Sequence, residues 1–153
     1  MPTQYSFVTY WKIDAPVEKV WDAIYNSTDW NKWWKGVVSV TETSTGDKRG
    51  IDSIREYTWK SALPYQLIFS MRLTENIEYK KLTGIAFGEL EGEGTWIFEE
   101  RNGSTYVTYY WNVFTNKFWM NYLSFILKPL FKYNHNIVMR WGEECLKKRL
   151  KSH

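Results

Sequence analysis

The sequence predicts an α+β fold in which a curved antiparallel sheet of seven strands wraps around one long C-terminal helix. Three observations predict it. Residues 37–114 lack helical spacing and alternate apolar with polar residues between recurring turn signals. The run Gly84-Ile85-Ala86-Phe87-Gly88-Glu89-Leu90-Glu91-Gly92-Glu93-Gly94 reads as one glycine-spaced strand, a composition that permits strong bending and close approach of other groups. After Asn116 helical spacing returns and carries a single apolar stripe towards the C-terminus.

In chain order, Tyr5, Phe7, Trp11 and Ile13 share one face against Ser6 and Lys12, so residues 5–13 form the first strand. Asp14-Ala15-Pro16 then offers a capping carboxylate and a proline suited to a first helical turn, and Val17, Val20, Trp21 and Ile24 follow at helical spacing. Ser27-Thr28-Asp29 restarts the chain, with Trp30, Trp33 and Trp34 repeating the pattern until Gly36 stops it. Two short helices therefore bridge the first and second strands. Turn signals stand at Thr45-Gly46-Asp47, Ser61-Ala62-Leu63-Pro64, Glu75-Asn76 and Asn102-Gly103. Between them Tyr65, Leu67, Phe69, Met71 and Leu73 share a face, as do Trp96 with Phe98, and Val107 with Tyr109, Trp111 and Val113. Their neighbours are polar, so only one side of the sheet is meant for full burial. Pro129 is expected to separate a short helix or loop from a final helix of roughly 20 residues. That helix carries Phe131, His135, Val138, Met139, Gly142, Cys145, Leu146 and Leu150 on one stripe.

A chain of 153 residues suits one domain, 1–153, that buries about 70% of its unfolded surface. Its 10 Trp, 11 Tyr and 8 Phe put the apolar content into rings, which can line a wide cavity. A net charge of +3, with its basic excess gathered at Lys147, Lys148, Arg149 and Lys151, reads as a solvated helix end, so nucleic acid is not an expected partner. One cysteine, Cys145, excludes an internal disulfide. The first residues show no basic region followed by an apolar core, so a cytoplasmic location is expected; a monomer or homodimer is the separate expectation for its assembly. No phosphate loop, dinucleotide fingerprint or zinc-ligand spacing occurs, and neither a metal nor a cofactor is expected. The apolar stretch 118–131 is too short to span a bilayer and is interrupted by Asn121, Ser124, Lys128 and Pro129. It could close the mouth of a cavity or touch a membrane surface transiently, with Lys117, Lys128 and Lys132 near headgroups.

The expected ligand-binding set is Arg55, Trp59, Phe69, Met71, Trp96, Phe98, Tyr109, Trp111, His135 and Met139. The rings among them can stack on a flat guest or simply form core. A hollow is the stronger expectation because one helix must fill a seven-stranded sheet with a stripe that includes Gly142 and Cys145. His135 lies on the inner stripe, where burial disfavours the imidazolium; it is the candidate for proton transfer, against a neutral packing role. Asn134 and Asn136 flank it and point elsewhere. Arg55 and Glu56 alternate on a strand, so Arg55 either faces in with Tyr57 and Trp59 towards a ligand carboxylate or enolate, or forms an exposed cross-strand ion pair. Glu89, Glu91 and Glu93 share the solvent parity, while Gly88, Gly92 and Gly94 share the inward one.

The order strand, two short helices, six strands, long helix is the helix-grip order. Ile13-Asp14-Ala15-Pro16-Val17-Glu18-Lys19-Val20-Trp21, Leu63-Pro64-Tyr65, Gly88 to Trp96, Gly103 to Thr108, and Phe131 to Asn136 with Met139, Gly142 and Leu146 all keep that order. Through them nearly the whole chain resembles the START-like superfamily and, within it, the polyketide cyclase/dehydrase branch of ligand-binding proteins. The resemblance implies a hydrophobic small-molecule partner, such as a lipid, polyketide or isoprenoid, held between sheet and helix. It also implies, as an alternative, aldol-type cyclisation or dehydration of a poly-β-keto substrate. His135 would then remove an α-proton while Tyr109, Trp111 or Arg55 donates to the enolate. A third implication, from the chaperone-activator branch, is a groove that binds another protein.

Overall fold

The computed structural model describes residues 4–61, 66–115 and 124–151, with side chains from 128 onward in the last segment. Strand β1 (Gln4–Ile13) leads into helix α1 (Val17–Tyr25), a 3-10 turn (Ser27–Asp29) and helix α2 (Trp30–Trp33). Six strands follow: β2 (Val37–Ser44), β3 (Ile54–Trp59), β4 (Leu67–Ile77), β5 (Lys81–Gly88), β6 (Leu90–Arg101) and β7 (Ser104–Thr115). The chain then enters helix α3 (Ser124–Lys151). The sheet order is β1-β7-β6-β5-β4-β3-β2, with every neighbouring pair antiparallel. Strand alternation sends Tyr5, Trp11, Phe69, Trp96, Phe98, Val107, Trp111 and Val113 to the covered face, where α3 contributes Phe131, Val138, Met139 and Leu146. The expected architecture is the observed one.

Four local features differ from the sequence expectation, each for a physical reason. The glycine-spaced run is two strands, because the chain reverses at Gly88 and Glu89. The Glu89 carboxylate then accepts a 2.8 Å hydrogen bond from the Ile68 N–H on β4. Strand β4 runs through Glu75 and Asn76, where a turn was expected, and ends at Ile77. Asn76 stays in the strand because its buried amide donates to the Arg49 carbonyl at 2.8 Å, and Tyr79, at φ 64°, makes the turn instead. Asp14 does not cap α1. Its carboxylate accepts from the Ser104 hydroxyl at 2.7 Å, and Glu100 reaches from β6 to take the Val17 N–H at 2.7 Å. Pro129 lies inside α3, which is continuous across it. At the sixth position of the helix the proline removes the one backbone hydrogen bond that its own nitrogen would donate to the carbonyl four residues earlier. The expected turn after Ser61 falls on 62–65, and most of the expected 118–131 lip falls on 116–123 and on side chains 124–127, all outside the described residues.

Gly142 works differently from its expected role. The space it leaves is filled: a Cβ there would stand 2.5 Å from Trp34 Cε2 and 2.8 Å from Trp11 Cζ2. Trp34 wedges against α3 at this point and donates from Nε1 to the Val138 carbonyl at 2.8 Å, fully buried. Two indoles thus fill the space beside Gly142, and the described α3 residues that line the open volume, Phe131 to Met139, lie N-terminal to it.

Candidate functional site

Tryptophans from the short helices, strand rings and α3 surround two adjoining chambers, each partly open rather than sealed. The first, of about 100 Å³, lies under the 3-10 turn and strands β3 to β6. The second, of about 110 Å³, lies beneath the N-terminal half of α3. Six residues line both: Trp30, Trp59, Phe69, Trp96, Tyr109 and Trp111. The partition between the chambers is therefore wholly aromatic. Its rings pack in contact, with Trp96 stacked on Tyr109 at 4.0 Å and Trp111 at 5.8 Å from Tyr109. Gly94 sits behind this partition, where a Cβ would fall 2.9 Å from both the Trp111 ring and Tyr109 Oη. Burial pushes the Tyr109 phenol well above its ordinary range, with Tyr57 reinforcing the effect.

The sheet-side chamber holds one charged residue among its described lining, Arg55. Both sequence readings of that residue describe part of its environment. Arg55 faces in, its Nη1 donating to the Tyr25 carbonyl at 2.6 Å and to Ser27 Oγ at 2.8 Å, while Nε pairs with Glu42 across the strands at 3.3 Å. Ser27 Oγ also lies 2.7 Å from Tyr57 Oη, so guanidinium, hydroxyl and phenol form one buried chain. Burial raises the Tyr57 pKa, and the Ser27 hydrogen bond and Arg55 charge oppose that rise.

The helix-side chamber has no Asp, Glu, Lys or Arg among its described lining. His135 stacks on Phe7 with ring centroids 4.2 Å apart and planes at 11°. Both its ring nitrogens are buried and neither has a hydrogen-bond partner. Desolvation lowers its pKa to about 4, so the imidazole is neutral at pH 7. Contrary to expectation, the neighbouring Asn134 also lines this chamber, and its Oδ1 accepts from the Ser61 hydroxyl, tying α3 to the end of β3.

Of the ten residues expected at the site, nine border a chamber: Arg55 and Met71 the first, His135 and Met139 the second, and Trp59, Phe69, Trp96, Tyr109 and Trp111 both. Phe98 does not. It points to the covered face further along β6, beside Val17 of α1, where it is core. Sequence reasoning missed Trp30, Trp34, Ser27 and Tyr5. The signal was present for the two tryptophans, since residues i and i+4 of a short helix laid on a sheet must project towards it.

Solved structures of low sequence identity share this backbone. Zhui aromatase/cyclase from Streptomyces sp. R1128 superposes with a TM-score of 0.78 at 7% identity, over 97% of this chain and 94% of that one. A START superfamily protein from Mycobacterium smegmatis gives 0.74 at 10% identity, over 97% of each chain. The chain has the START-like helix-grip fold. A third match, the di-domain ARO/CYC BexL from the BE-7585A biosynthetic pathway, gives 0.72 at 14% identity over 95% of this chain, which spans about half (49%) of BexL. No protein-family model and no curated protein matches the sequence. Among the described residues, no helix is long and apolar enough to cross a membrane.

Proposed function

We propose that this helix-grip chain binds a small hydrophobic molecule in the hollow between its sheet and α3. The observation that carries the reading is the pair of partly open, ring-lined chambers, with mainly apolar walls, in a place where a well-packed core has few voids larger than a water molecule. Their size sets the scale of the guest. Each is well below the ~300 Å³ at which pockets for drug-sized ligands begin, so a single ring or short branched chain fits one chamber. A longer lipid, polyketide or isoprenoid requires the aromatic partition to swing aside. Trp59, Phe69, Trp96, Tyr109 and Trp111 would stack on the guest, Met71 and Met139 would adapt to its outline, and Arg55 would face its polar end.

The names of two structural neighbours raise the enzyme reading, in which His135 is the general base. Its environment speaks against that role. An imidazole whose pKa is about 4 binds a proton some 300-fold less readily than an ordinary one, and no described residue orients it. A protein-binding module would be expected to have a filled interior, and the two chambers weigh against it.

Native mass spectrometry of protein purified without added ligand tests the reading, followed by thermal unfolding against a panel of small aromatics, terpenoids and fatty acids. A guest at a hundredfold excess over its Kd stabilises the fold by about 2.7 kcal/mol, which is readily seen as a rise in Tm. Absence of any retained guest, together with no thermal shift for any compound of the panel, would overturn the proposal.

A further inference from the structure

The two chambers differ in chemistry, and the difference specifies a guest. In the helix-side chamber Tyr5, His135 and Trp59 line the wall. Tyr5 Oη, His135 Nδ1 and Nε2, and Trp59 Nε1 each expose less than 1 Å² and have no hydrogen-bond partner. Tyr5 itself is 4% exposed. Buried polar atoms are ordinarily satisfied, and of the seven orphaned side-chain atoms among the described residues four belong to residues that line this one hollow, the others lying at Trp11, Trp21 and Asn76. They come from three separate elements, β1, β3 and α3, and the Tyr5 and His135 rings both pack near the Phe7 ring, at 6.1 Å and 4.2 Å. A neutral imidazole supplies one donor and one acceptor, a phenol supplies both, and an indole supplies a donor only. No charged residue lines this chamber among those described, so an ionised guest would find no counter-charge there.

Resting on the binding function proposed above, we infer that the helix-side chamber selects a neutral ring bearing one hydroxyl or carbonyl group and excludes the corresponding carboxylate. None of these atoms is open to a water-sized probe in this packing; with a small turn of the rings a hydroxyl can donate to His135 while accepting from Tyr5 or Trp59. A carbonyl can accept from the same donors. The ring itself takes the place between Phe7, Trp96 and Phe131 in a volume of about 110 Å³, comparable to the ~150 Å³ apolar cavity that admits benzene. A plain hydrocarbon fits the same space and leaves the orphaned atoms as they are, whereas a carboxylate must shed its hydration without a cation to replace it.

Fluorine NMR titrations of the intact protein near neutral pH with fluorobenzene, para-fluorophenol and para-fluorobenzoate decide the matter. The inference expects para-fluorophenol to bind about tenfold more tightly than fluorobenzene, the ratio a single added hydrogen bond supplies, and para-fluorobenzoate to bind more weakly than either. In Tyr5→Phe/His135→Phe, which keeps only the Trp59 donor, the preference for the phenol should shrink clearly while fluorobenzene still binds. Tyr5→Phe alone, which removes one oxygen, should narrow the preference and serves if the double variant does not fold. Equal binding of phenol and hydrocarbon, benzoate binding as tightly as phenol, or an undiminished preference in the folded double variant would each overturn the inference while leaving the binding function standing. If none of the three compounds binds, the inference falls, and retained guests together with the terpenoid and fatty-acid panel decide the binding function.

Discussion

Replacing His135 by Phe should flatten the acid sensitivity of this protein, and the size of the effect follows from where the imidazole sits. In the unfolded chain its pKa is the ordinary 6.5, and in the fold burial lowers it to about 4. The proton therefore favours the unfolded chain. Stability from this group is fully present above pH 6.5, declines as pH falls from 6.5 towards 4, and levels off below that. At about 1.4 kcal/mol per pH unit, the gap between 6.5 and about 4 corresponds to a loss of about 3 kcal/mol, of which about 2.5 is reached by about pH 4.5. Phe preserves the stacking on Phe7 and has no proton to bind. Exposed carboxyls such as Asp14 and Glu75, which a hydrogen bond from Ser104 and from Lys81 respectively holds below the usual range, add acid sensitivity of their own. They do so equally in both proteins and cancel in the comparison. Urea unfolding followed by tryptophan fluorescence at about pH 7 and about pH 4.5 measures the difference of differences: the wild type should lose about 2 to 3 kcal/mol more than the variant over that interval. Identical losses would refute the claim that a neutral, unsolvated imidazole faces the chamber.

Three further perturbations probe the frame around the hollow. Gly142→Ala should destabilise the fold by about 1–3 kcal/mol in urea titrations, because the new methyl meets Trp34 and Trp11 inside van der Waals distance; an unchanged midpoint would mean the indoles do not wedge there. Ser27→Ala should lower stability by about 1–3 kcal/mol, since Tyr57 Oη loses its buried partner and Arg55 one of its acceptors; retention of wild-type stability would contradict the buried polar chain. Trp96→Leu removes a ring from the partition, so it should let naphthalene raise Tm where the wild type responds only to single rings, at a cost of several kcal/mol in stability; the same size limit in both proteins would show that the partition does not divide the hollow.

Much of this frame is legible in the sequence because it depends on periodicity. Alternation along β4, β6 and β7 assigns Phe69, Trp96, Tyr109 and Trp111 to the covered face, and helical spacing does the same for Val138, Met139 and Leu146. What escapes is whatever depends on contacts distant in the chain. That Glu100 caps α1, and that Asp14 instead accepts from Ser104, follows from the sheet bringing residues more than eighty positions apart together. The same holds for Gly142, whose missing side chain suggests space until Trp34 arrives to fill it. Parity puts Phe98 on the same face as Trp96, and only the position of α1 decides that one is core and the other a chamber wall. The reversal at Gly88 is hidden for a simpler reason: glycines that bend a strand and glycines that end one look alike in sequence.

Xenon-pressurised crystals address the hollow most directly, because xenon enters apolar cavities without needing a hydrogen bond. Two xenon positions are predicted on opposite faces of the ring wall formed by Trp96, Tyr109 and Trp111, the stronger beneath Phe131 and Met139. Side chains filling both volumes, with no xenon inside the protein, would contradict the account.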